Sequence, residues 1–171
     1  DIKFFEQEFD GILPLEILID TKRPRGALSL ANLKRMETLE NEISDIPELS
    51  PPLSIVRLAK YSKQAYYNDN PQFFQLPTSQ EQNFISPYLK GLDQGDNLIS
   101  AYVDSTSRYA RMTTFMKDIG AEEMERIAIM LLPEIKKIFP EERYEVTLTG
   151  KASIFQKGPS YLVKNLIVSL Y

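Results

Sequence analysis

The sequence predicts an α+β sandwich, a mainly antiparallel sheet with helices on one face. Three observations lead there. Residues 13–19 and 144–149 alternate apolar and polar side chains with the two-residue period of half-buried strands. Residues 30–46 and 124–138 carry apolar side chains at the three-and-four spacing of amphipathic helices. Between them, residues 54–92 change character, reading as a helical insertion rich in Tyr and Phe.

Each element follows in chain order. Ile2, Phe5 and Phe9 give residues 1–11 one apolar side of a short helix, ended by Gly11. Leu13, Leu15, Ile17 and Ile19 then mark the first strand, with Pro14 suited to its beginning or to an edge. Residues 21–26 form a basic turn, Lys22, Arg23 and Arg25 around Pro24, read as a solvated loop with anion or head-group contact as the alternative. Ser29 caps a helix whose apolar face is Leu30, Leu33, Met36, Leu39, Ile43 and Ile46, stopped by Pro47. Pro51 and Pro52 remove two ladder donors from residues 48–53, which therefore read as an extended edge or a linker and not as a central strand.

Ser54 opens a helix running to about Tyr67, with Ile55, Leu58, Tyr61 and Ala65 as its expected apolar face. After a polar loop at 68–78, Ser79 and Gln82 have capping-box spacing for a helix carrying Phe84, Ile85, Tyr88 and Leu89, bent by Pro87 and stopped near Gly91. Residues 98–103 and 108–117 read as a hairpin around a turn at 104–107, with Ala110, Met112, Thr114 and Met116 on one face. Glu122 and Glu123 start, and Lys136 and Lys137 finish, a helix in the sense its dipole favours. Its apolar face is Met124, Ile127, Leu131, Ile135 and Ile138, and Pro133 is expected to kink it. Tyr144, Val146 and Leu148 make the last strand. The order of elements resembles a ferredoxin-like, split βαβ arrangement with an insertion at 54–92.

Composition narrows the function. A chain of 171 residues with 43% apolar and 26% charged residues is expected to form one folded domain, 1–171. A net charge of −4 supplies no field for a polyphosphate, so nucleic acid is not an expected partner. The absence of His removes the usual general base, and the absence of Cys removes thiol nucleophiles and ordinary zinc sites. No G-x-S-x-G elbow occurs. Residues 149–152 fail as a phosphate loop, with Glu145 where its first glycine belongs and Ala152 where Ser or Thr should meet magnesium. The pairs Glu122/Glu123 and Glu141/Glu142 are adjacent in sequence and diverge on helices, while Asp93, Asp96 and Asp104 miss the alternation of a calcium loop. The expectation is therefore no catalytic, cofactor or metal site, and no enzyme. One set of residues has a candidate binding role: Tyr61, Tyr66, Tyr67, Phe73, Phe74, Phe84 and Tyr88. They either pack the insertion onto the sheet or offer contact to an apolar ligand or partner.

The chain begins on Asp1, without a signal peptide, and ends in an apolar, helix-like run at 161–171, too short to cross a bilayer and read either as the first turns of a membrane helix or as an amphipathic helix on the domain. Two segments carry a family resemblance. Asp1-Ile2-Lys3-Phe4-Phe5-Glu6-Gln7-Glu8-Phe9-Asp10-Gly11, followed by Leu13-Pro14-Leu15-Glu16-Ile17, resembles the start of the extracytoplasmic loop of resistance-nodulation-division (RND) exporters. Within them the MMPL, hydrophobe/amphiphile exporter-like branch is nearest. Val146-Thr147-Leu148-Thr149-Gly150-Lys151-Ala152, through Lys157-Gly158 to Tyr161-Leu162-Val163, looks like that family's return to the next transmembrane helix.

The resemblance implies a porter-type domain excised from a larger inner-membrane protein, on the periplasmic side, with 161–171 beginning a transmembrane helix and the second-half loop as the expected origin. It also implies proton-driven export of lipids or other amphiphiles, with the proton-carrying groups in membrane helices outside this chain. Partners would be the remaining porter and transmembrane domains and a hydrophobic or amphiphilic molecule, with a homo-oligomer as a further expectation. The resemblance transfers no catalytic residue. The alternative reading is a free-standing binding module that uses the aromatic insertion.

Overall fold

The computed structural model describes residues 12–92, 98–117 and 120–149; the expected helix at 1–11, Asp93, Asp96 and the segment 161–171 lie outside them. Strand β1 (Ile12–Asp20) lies between β2 (Tyr109–Lys117) and β3 (Glu145–Thr149) and is antiparallel to both. The two-residue period sets one face of this sheet. Leu15, Ile17 and Ile19 of β1 sit beside Thr114, Met112 and Ala110 of β2, with Leu148 and Val146 of β3 completing the row, all buried. Among the described residues, Pro14 lies beyond the part of β1 that pairs with β3.

Helices α1 (Leu30–Ser44) and α4 (Ala121–Ile138) cover that apolar face. Ser29 caps α1, its hydroxyl accepting from the Asn32 N–H. Leu33, Met36, Leu39 and Ile43 of α1 and Met124, Ile127, Leu131 and Ile135 of α4 are buried in one cluster with the sheet residues. Burying each such side chain contributes about 1.5–3 kcal/mol, so these eight set the order of the core. Helix α4 is a single helix through Pro133, which lies on its exposed side. Two polar contacts tie helix ends to the frame: Arg35 donates to the Ile138 carbonyl, and Tyr144 donates to Asn32, whose amide in turn donates to the Gly26 carbonyl at 2.8 Å. Asn32 and Tyr144 are both buried, and the network leaves neither unsatisfied.

Residues 48–53 run antiparallel along the edge of β2 that faces away from β1, as the two prolines predict. Ser50 and Leu53 donate backbone N–H groups to Phe115 and Thr113, and Lys117 and Thr113 donate back to Glu48 and Leu53. Pro51 and Pro52 fall where the strip makes no ladder bond. The Thr114 hydroxyl, fully buried on the core face, donates to the Ser50 carbonyl at 2.6 Å.

Two sequence expectations require correction. Residues 98–103 are not a strand: Ile99–Ala101 is one 3-10 turn, and only Val103 bridges to β2, at Ala110. The turn at 104–107 is real, closed by the Asp104 carboxylate, which accepts from the N–H groups of Thr106, Arg108 and Tyr109. The second concerns α2 (Ile55–Tyr66): of its expected face Ile55 is buried and Leu58 packs half-buried against the core, but Val56, Ala59, Ser62 and Lys63 are buried in place of the expected Tyr61 and Ala65. Its inward face is rotated, and Tyr61 is 47% exposed.

Candidate functional site

The insertion is a pair of packed helices, α2 and α3 (Gln82–Leu92), standing on the edge of the frame next to α1 and β2. Ser54 starts α2, its hydroxyl accepting from the Val56 N–H at 3.1 Å and donating to Glu40 of α1. Burial pushes the Glu40 carboxyl above its usual range, with the Ser54 hydrogen bond and the charges of Lys60 and Arg57 pulling the other way. After α2, Asn68 and Asp69 take left-handed backbone (φ 58° and 61°), which their short polar side chains tolerate, and the chain reverses through the 3-10 turn Pro71–Phe73.

A buried ion pair joins the two helices. The Lys63 ammonium lies 2.9 Å from Glu81, with only 7% and 11% of the two side chains exposed. The other Glu81 oxygen accepts from the Tyr67 hydroxyl at 2.6 Å. Glu81 also accepts from the Thr78 N–H at 3.0 Å while the Thr78 hydroxyl accepts from the Glu81 N–H at 3.2 Å, which is a capping box. The box is thus Thr78/Glu81, one residue before the expected Ser79/Gln82, because only this register hands the carboxylate to Lys63. Burial raises the Glu81 pKa, but the hydrogen bonds from Tyr67, Thr78 and Lys63 outweigh it and hold the group at about 2. The Tyr67 hydroxyl is pushed up by its bond to that carboxylate.

Around this pin the seven predicted aromatic residues collect into two groups, and none of them belongs to the core cluster. Tyr61 meets Phe74 at 4.9 Å between ring centres, with the Lys60 ammonium 5.7 Å from the Phe74 ring. The other five form a run: Phe73 stacks on Tyr67 at 4.1 Å, Tyr67 meets Tyr66 edge-on at 5.0 Å, and Tyr66 touches Phe84 at 4.8 Å and Tyr88 at 5.5 Å. Tyr66, Phe74, Phe84 and Tyr88 are each between 37% and 42% exposed. The rings pack on one another, with Tyr67 and Phe73 half-buried and the other five exposed.

Two hollows flank this patch and share Pro77 as a wall. One, of about 270 Å³, is lined mainly by Leu28, Leu33, Ala59, Ile85 and Leu89 between α1, α2 and α3. The other, of about 570 Å³, is shallower and mixes Leu30, Phe74 and Leu76 with Lys34 and Lys60. Lys60 is ion-paired with Glu37 at 2.8 Å. No protein-family model matches the chain, and no characterised protein matches it. Among the described residues, no group of acidic side chains converges as a metal site, and no helix is long and apolar enough to cross a membrane.

Sequence reasoning found the seven rings but missed their support. Lys63 carried the available signal: it stands one turn after Ala59, on the side of α2 that Val56 makes apolar, where a lysine needs a buried partner.

Proposed function

We propose that the chain is a periplasmic porter domain of a proton-driven RND exporter of the MMPL, hydrophobe/amphiphile type, one that receives or passes on lipid-like substrates and performs no catalysis. The observation that carries this reading is the joining of a split βαβ frame to an insertion whose aromatic rings face solvent. In the frame, β1, α1 and the strip at 48–53 form a βαβ unit, with β2 lying antiparallel between its two extended segments. With β3 on the other side of β1, this lateral order supports the ferredoxin-like arrangement that the resemblance to porter loops implies. The first residues of β1 and the last of β3 also lie at the same end of the sheet, which suits a loop that returns to the membrane it left.

The exposed rings and the apolar hollow beside them support the amphiphile, since contiguous apolar surface rimmed by polar groups marks binding sites. The shifted carboxyls support binding over chemistry. Glu81 is engaged on both oxygens and kept ionised, and Glu40 is bonded to Ser54.

The chain contains no cysteine, which supplies the test. A single cysteine at the exposed turn residue Ser105, placed in the full-length gene product with any other cysteines replaced, should react with a membrane-impermeant maleimide in cells whose outer membrane alone is permeabilised. Labelling only after lysis overturns the periplasmic reading.

A further inference from the structure

The geometry points to a second interaction site, at the end of the sheet opposite the chain's entry and exit: a preorganised basic turn, residues 21–26, that takes an acidic segment of a partner protein. Lys22, Arg23 and Arg25 are all exposed, and among the described residues none has a carboxylate within ion-pair reach of its charged head. The acidic groups nearby are engaged or displaced. Asp20 is held by both arms of the Arg108 guanidinium, at 2.7 and 2.9 Å. Asp104 is spent on three backbone amides, and Glu145 lies on β3, across β1 from the turn. Three cations thus lie within four consecutive residues, 22–25, of a chain whose net charge is −4.

The turn is also rigid. Thr21 donates both its N–H and its hydroxyl to the Arg108 carbonyl, at 3.1 and 2.6 Å. Arg25 and Ala27 donate to the Thr106 and Ser107 carbonyls at 2.9 and 2.7 Å, clamping this turn onto the one that opens β2. Gly26 allows the close approach, because a Cβ there would stand 2.2 Å from the Thr21 hydroxyl oxygen. Within the clamp Lys22 and Arg25 adopt left-handed backbone, φ 59° and 64°, a conformation that long side chains enter at a cost and that glycine enters freely. Retaining two long cations there places their charge at the expense of stability, as expected at a recognition site.

The choice of an acidic polypeptide over lipid head groups rests on the exporter reading. The nine residues of β1 separate the turn from the end where the chain enters and leaves by about 27 Å. A membrane at that end lies well outside the Debye length of about 8 Å. The turn faces away from that membrane, toward whatever protein meets the distal end.

The test is an NMR titration of the 171-residue chain with a hexaglutamate peptide, beside flotation with vesicles of phosphatidylglycerol and phosphatidylcholine. The proposal expects amide shifts confined to residues 21–27 and 104–108, weakening as salt is raised. K22G/R23A/R25G should lose binding at least tenfold, with an unchanged or higher thermal midpoint; R57A/K137A, which removes exposed positive charge elsewhere, should bind as the parent does. Shifts spread over other surfaces, equal binding by the glycine variant, or flotation that depends on these three residues would each overturn it. The peptide result stands apart from the Ser105 labelling, so failure of the site and failure of the exporter reading are distinguishable.

Discussion

Lys63 and Glu81 bury two opposite charges at the root of the insertion, and the desolvation of such a pair is offset only when every remaining donor and acceptor is met. Here Tyr67 and Thr78 meet them. The consequence is a pH dependence with a definite sign. Glu81 falls from 4.5 to about 2 on folding, so its stabilisation is present above pH 4.5 and is lost as pH falls through 2. Solvent screening reduces the contribution to on the order of 1–2 kcal/mol. Asp20 and Asp104, also lowered, act in the same direction. Glu81→Gln should therefore lower the urea midpoint at pH 7 and flatten the acid limb between pH 4.5 and 2. A variant whose stability falls in parallel with the parent over that window would show that Glu81 is not the titrating group.

At the scale of elements, Pro133 offers the sharpest test. It interrupts the donors of an otherwise regular 18-residue helix and leaves the Ile129 carbonyl without its intrahelical partner. The ring stands on the exposed side, so replacing it disturbs no core contact, and Pro133→Ala should raise stability by about 1–3 kcal/mol in thermal or denaturant melts. A loss would mean that the proline sets a bend on which packing depends.

The elements legible in the sequence were those whose own period decides them. β1, α1, α4 and β3 bury most of the residues their spacing picks out, with Leu30 and Ile138 only half-buried, and Ser29 and Ser54 cap where they should. The elements misread were those decided by distant partners. The inward face of α2 turns on Lys63, which is buried only because Glu81 arrives 18 residues later. The capping box was ambiguous between Thr78/Glu81 and Ser79/Gln82 for the same reason. Residues 98–103 have strand-like composition, but the strip at 48–53 already occupies the free edge of β2 along 113–117, leaving room only for the bridge at Val103. The aromatic set was legible as composition; its division into two surface groups was not.

At the scale of the molecule, the core and the aromatic patch are separate clusters that meet through the Lys63–Glu81 pin, so stability and binding should separate under mutation. Ile17 sits at the centre of the sheet with no exposed surface, and Ile17→Ala should cost about 2–5 kcal/mol. Below its lowered melting temperature that variant should bind as the parent does. Tyr66 touches three rings at the surface, and Phe84 is one of them. Y66A/F84A removes that contact and the apolar area it presents, at about 1–2 kcal/mol of stability. If the rings receive an amphiphile, the double variant should bind a fluorescent single-chain fatty acid about tenfold more weakly, roughly 1.4 kcal/mol, measured on the chain by fluorescence titration. Binding by Y66A/F84A equal to that of the parent would return the rings to packing alone and move the search for the substrate path to the hollow walled by Pro77.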